Sequence, residues 1–97
     1  MRQKTLHNVV MKEERQNEGF SYTYELILSE GVRTADWRLP LYSIRISMTD
    51  SEGKKSQREA TEVFTDSVRA IEFFNKLVRN LATPIDLGYV IEDEVRS

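Results

Sequence analysis

The chain contains no cysteine, and that absence removes disulfides, thiolate metal sites and cysteine nucleophiles together. It has one histidine, His7, so a metal centre or a catalytic triad would have to be assembled around a single imidazole. A lone histidine in an edge-like strand reads better as a surface or partly buried polar residue. Glycine is scarce and scattered at Gly19, Gly31, Gly53 and Gly88, so no glycine-rich phosphate loop exists, and GxSxG, HExxH and P-loop patterns are missing as well. No apolar run approaches the ~20 residues of a membrane span. The amino-terminal stretch MRQKTLHNVVMKEERQ starts basic but lacks the apolar centre of a signal peptide, and the expected location is the cytoplasm. An excess of charge is also lacking: 14 basic against 16 acidic residues give a net charge of -2, which provides no overall attraction to nucleic acid or anionic lipid.

What remains is a chain of 97 residues, long enough for one core and read as a single domain over 1–97. Hydrophobic residues at 39% and charged ones at 31% suit a soluble globular fold rather than disorder. The dominant signal runs from Thr65 to Ala82, TDSVRAIEFFNKLVRNLA. At about 100° per residue, Arg69, Glu72, Lys76, Arg79 and Asn80 gather on one narrow side, while Val68, Ala70, Ile71, Phe73, Phe74, Leu77, Val78, Leu81 and Ala82 fill the rest. Such a helix would be buried on more than half its girth, pressing on a sheet with one flank and on a second element with the other. Thr65 offers a hydroxyl cap and Asp66 a first-turn carboxylate.

The sheet comes from upstream. Phe20 to Ser29 alternates, with Phe20, Tyr22, Tyr24, Leu26 and Leu28 on one side and Ser21, Thr23, Glu25 and Ser29 on the other. Leu41 to Thr49 alternates in the same way: Tyr42, Ile44, Ile46 and Met48 against Ser43, Arg45 and Ser47. Asp50 to Lys55 has the residues of a tight hairpin, and Gln57 to Phe64 reads as a charged returning edge strand. Thr5 to Lys12 reads as a first strand, with EERQNEG, Glu13 to Gly19, as a solvated loop after it. Thr83, Pro84 and Asp86 mark a second helix start, continued by the stripe Leu87, Ile91, Val95. The expected architecture is α+β, a four-stranded mostly antiparallel sheet with two C-terminal helices packed on one face. Ser21, Thr23, Glu25, Ser43, Arg45 and Ser47 would then line the bare face.

The segments YTYELIL and YSIRI, and above all LVRNLATPIDLGYVIED with Thr83, Pro84, Leu87, Ile91, Glu92 and Asp93, resemble a family of short uncharacterised bacterial proteins catalogued as a domain of unknown function. The likeness covers most of the chain after Gly19. It implies a bacterial cytoplasmic protein with one compact domain and carries no activity.

No stretch carries an identifiable chemistry. Glu92, Asp93 and Glu94 are consecutive on a helix and point in different directions, so they read as a solvated terminus rather than a cation site. No metal and no cofactor is expected, and an enzyme is only a third option, since the polar face holds Glu25 and Arg45 but nothing there gives a reason for a tuned pKa. The leading expectation is a small non-enzymatic protein-binding or regulatory domain whose partner is a protein, a second copy included, with Trp37, Leu87, Tyr89 and Ile91 as candidate contacts. The alternative is nucleic-acid binding through the basic hairpin Lys54 to Arg58, with Lys54, Lys55, Arg58 and Arg45 as candidate phosphate contacts. The open face should carry serine, threonine, glutamate and arginine rather than aromatics, which disfavours RNA reading by base stacking.

Overall fold

The computed structural model describes residues 6–30 and 40–96, without the side chains at 6, 7, 30, 62, 95 and 96. Four strands, β1 (Leu6–Asn17), β2 (Phe20–Glu30), β3 (Pro40–Thr49) and β4 (Lys55–Phe64), form an antiparallel meander in the order β1-β2-β3-β4. Two helices follow, α1 (Ser67–Arg79) and α2 (Pro84–Arg96), and both lie on one face of the sheet. The α+β architecture is the one expected.

The first strand differs from expectation. The segment Glu13 to Asn17 is not a loop but the second half of β1, in register with β2 through Glu13↔Tyr24, Arg15↔Tyr22 and Asn17↔Phe20. A two-residue turn closes the hairpin with positive φ at both positions, 52° at Glu18 and 86° at Gly19. That geometry follows the twist of paired strands, and it lets a wholly polar segment pair as long as it sits at an edge. At the other hairpin Asp50 organises the turn: its Oδ1 accepts from the N–H groups of Glu52 and Lys54, and its carbonyl accepts from Gly53 at 3.0 Å.

Alternation then decides the faces. Tyr22, Tyr24 and Leu26 of β2 and Ile44 and Ile46 of β3 point toward the helices and are buried with Phe64, Ala70, Phe73, Phe74, Leu77, Val78, Ala82 and Leu87. Burying each large side chain of this set favours folding by about 1.5–3 kcal/mol. The Tyr24 hydroxyl, fully inside, donates to the Ala82 carbonyl at 2.8 Å, so the centre of the sheet is fastened to the joint between the helices.

Asp66, not Thr65, caps α1: its backbone is extended and its Oδ1 accepts from the Val68 N–H at 3.0 Å. The far end closes with Ala82 N–H on the Leu77 carbonyl and Leu81 N–H on the Val78 carbonyl, while Leu81 takes a left-handed φ of 51°. This is the Schellman arrangement with leucine where glycine is usual. For α2 the expected signal is realised as a reciprocal box: Asp86 N–H donates to Thr83 Oγ1, and Thr83 N–H donates to Asp86 Oδ2.

The broad burial expected of α1 is not reached. Ala70, Phe73, Phe74, Leu77 and Val78 are buried, but Val68 is 60% exposed and Ile71 is exposed as well. The reason is placement. α2 packs on β4 and β3 instead of pressing closely on α1, and α1 rests on β2 with lesser contact to β3 and β4. Arg69 links the two helices: its Nη2 meets Glu94 Oε2 at 3.1 Å, and its guanidinium lies 5.7 Å from the ring centre of Phe64 on β4.

Candidate functional site

Among the described residues, three surfaces bring functional side chains together. The first is the outer side of α2. The capping box and Pro84 fix where this helix begins, and a period of 3.6 then places Ile85 and Tyr89 one turn apart facing outward, 69% and 71% exposed. Gly88 lies beside them without a side chain, and the Arg58 guanidinium of β4 covers it, 3.9 Å from where a Cβ would stand. Arg58, Ile85, Gly88, Tyr89 and Glu92 line a groove of about 260 Å³. Of the expected partner contacts, only Tyr89 is presented in this way. Leu87 is 1% exposed and belongs to the core, because the stripe it shares with Ile91 is the one that faces the sheet, and Ile91 is itself half-buried against that core. Trp37 and the side chain of His7 lie outside the described residues.

The second surface is the bare face of the sheet. Register brings Lys12, Glu25, Arg45 and Glu59 into one row across all four strands, with charges alternating in sign. Arg45 is held on both sides, Nη1 to Glu25 Oε1 at 3.1 Å and Nε to Glu59 Oε1 at 3.2 Å. The neighbouring row carries Thr23 and Ser47, and Ser47 Oγ donates to Gln57 Oε1 at 3.2 Å. Ser43 departs from expectation: it is buried with Ile27 and Ser29 at the end of the sheet where β2 leads to β3, so only the hairpin half of this face is open.

The basic residues expected to act together on phosphate are dispersed. Strand alternation puts Lys55 on the bare face in register with Thr49, and Arg58 on the helical face in register with Ile46. Lys54 sits in the turn, its N–H on the Asp50 carboxylate. Arg45 already satisfies two carboxylates. No single surface collects all four.

The third surface was invisible in the sequence. With β1 extended to Asn17, its helix-facing residues Glu13 and Arg15 stand beside α1 and enclose, together with Gln16, Asn75, Val78, Arg79 and Leu81, a groove of about 480 Å³. Arg15 Nη1 donates to Glu13 Oε1 at 3.0 Å and to the Glu14 carbonyl at 2.8 Å, which fixes its head. The clue was Asn17-Glu18-Gly19: a tight turn there obliges the charged residues before it to pair with the tyrosine strand. Behind the groove, burial pushes the Tyr24 phenol up to about 12, with Tyr22 and Asp86 adding to the rise and Arg15 opposing it.

The chain belongs to the family of unknown function DUF6514, whose profile matches residues 3–97. No curated protein and no solved structure matches it. Among the described residues, no helix is long and apolar enough to cross a membrane.

Proposed function

We propose that this member of a family of unknown function is a small non-enzymatic protein-binding or regulatory domain, and that a protein partner docks on the outer side of α2. The observation that carries the reading is the pair Ile85 and Tyr89, two large side chains about seven-tenths exposed and one helical turn apart beside Arg58. Tyrosine and arginine flanking an aliphatic residue are the side chains that concentrate binding energy when a partner excludes water from them. Nothing in the fold requires either residue to be apolar, since Leu87 and the half-buried Val90 and Ile91 already anchor the helix.

A second copy of the chain is one partner such a surface accepts. Size-exclusion chromatography with light scattering tests it, and a strictly monomeric protein at micromolar concentrations would remove self-association from the proposal. For a different partner, a photo-crosslinker at position 89 in the protein's own cells should capture one discrete species. The Ile85→Ser, Tyr89→Ser variant should lose it while keeping the wild-type unfolding temperature. Equal capture from a crosslinker on the opposite face, at Thr23, would contradict the reading. Nucleic-acid binding has less support, because Lys55 and Arg58 face opposite ways and Arg45 is neutralised by Glu25 and Glu59.

A further inference from the structure

We propose that the groove between β1 and the C-terminal half of α1 is a binding site for a small organic anion, a compound with a carboxylate or phosphate head and an apolar body. Its volume of about 480 Å³ falls in the range of small-molecule sites, and it is distinct from the α2 surface. Arginines line both walls, Arg15 on the strand and Arg79 in the last turn of the helix. Their situations differ in a useful way. Arg15 is already oriented, and both of its contacts use Nη1, so the donors on Nε and Nη2 remain for a ligand. Arg79 has no ion-pair partner among the described residues. One turn before it on the same side of α1, Asn75 adds a side-chain amide, and Gln16 adds another from β1. Planar guanidinium forks match the paired oxygens of a carboxylate or phosphate, whereas Glu13, already engaged by Arg15, offsets one of the two positive charges.

The floor is apolar. Val78 is nearly buried and Leu81 is half-buried, so the anionic head would sit toward the arginines while a hydrocarbon portion covers these two residues. Leu81 also shapes the wall. Its left-handed backbone is one that glycine or asparagine adopts far more readily, yet a leucine stands there with its side chain in the wall of the groove. The C-terminal end of a helix repels anions, but here the Leu77 and Val78 carbonyls are already closed by Ala82 and Leu81, and Arg79 stands at that end without an ion-pair partner among the described residues.

The test is calorimetric titration at low salt with phenyl phosphate and benzoate, alongside inorganic phosphate and benzyl alcohol, followed by amide shifts in NMR. Phenyl phosphate and benzoate should bind saturably and shift Asn75, Val78 and Leu81. Inorganic phosphate should bind about tenfold more weakly for want of burial, and benzyl alcohol should not bind. Arg79→Gln should weaken both aromatic anions by about tenfold or more at an unchanged unfolding temperature. Leu81→Gly, which relieves the backbone, should weaken the aromatic anions and leave inorganic phosphate unaffected. No saturable binding of any anion in the millimolar range would overturn the proposal. So would equal affinity for phosphate with and without the ring, or shifts confined to Thr23 and Ser47 on the bare face. The α2 reading is tested by crosslinking at Tyr89 and stands or falls separately.

Discussion

The two edges of the sheet are made of nearly the same residues and end in opposite circumstances. The outer half of β1 reads KEERQN and β4 begins KSQRE, both rich in charge, and among the described residues both are edge strands of the sheet. β4 is roofed: α2 packs on it, Leu87 reaches into the core there, and Arg58 lies over the backbone of Gly88. β1 runs on beneath no closely packed helix, so Glu13 and Arg15 line a wider groove, about 480 Å³ against about 260 Å³ beside Arg58. Composition does not separate these outcomes. What separates them is where the helical pair is fastened, and that is decided by Tyr24 and Ala82.

The contrast breaks most completely if the contact between α2 and β4 is weakened. Leu87→Ala should destabilise the protein by about 2–5 kcal/mol in urea unfolding, and native-state hydrogen exchange should then show β4 opening as readily as β1. An effect on partner binding at unchanged stability would place Leu87 at the surface after all. Next in size, Tyr24→Phe leaves the Ala82 carbonyl inside without its donor and should destabilise by about 1–3 kcal/mol. The same residue sets a pH dependence. Its phenol titrates higher folded than unfolded, about 12 against 10.0, so the contribution is complete below pH 10 and is lost as pH rises through the folded value. Wild type should lose roughly 2–3 kcal/mol across that window and Tyr24→Phe should not, as alkaline unfolding curves would reveal.

A smaller effect tests the row that joins the two edges. Arg45→Met leaves Glu25 and Glu59 as like charges on either side of an apolar residue, and should cost about 1 kcal/mol, less in high salt. The smallest change sharpens the contrast at the β1 end. Glu18→Asn places Asn-Gly in the positive-φ turn and should raise stability by about 0.5 kcal/mol, lengthening the protection of Glu13 to Asn17 from exchange.

Where residues were bound by a strict period, the fold was legible. The alternation of β2 and β3 gave the faces, and Thr83-Pro84-Ile85-Asp86 gave the start of α2 with its reciprocal bonds. Legibility failed where charge masked period. Glu13 to Asn17 looks like a loop because edge pairing needs no apolar side, and the groove it forms with Asn75 and Arg79 joins residues some sixty positions apart, which only the tertiary placement of α1 brings together. The inward turn of Leu87 is hidden for a related reason: apolar residues stand on several sides of this helix, and the sequence does not say whether Leu87 or Tyr89 turns inward. Lys55 and Arg58, three apart, share a helix face but not a strand face, and alternation separates them.

The hydroxyl of Tyr24 clasps the elbow of the helical hairpin rather than either arm. A clasp at the elbow makes the hairpin a single cooperative unit: neither arm can peel away alone without pulling on the bond that also secures the other. Loosening the elbow therefore weakens the hold on both arms, although each arm keeps its own packing on the sheet.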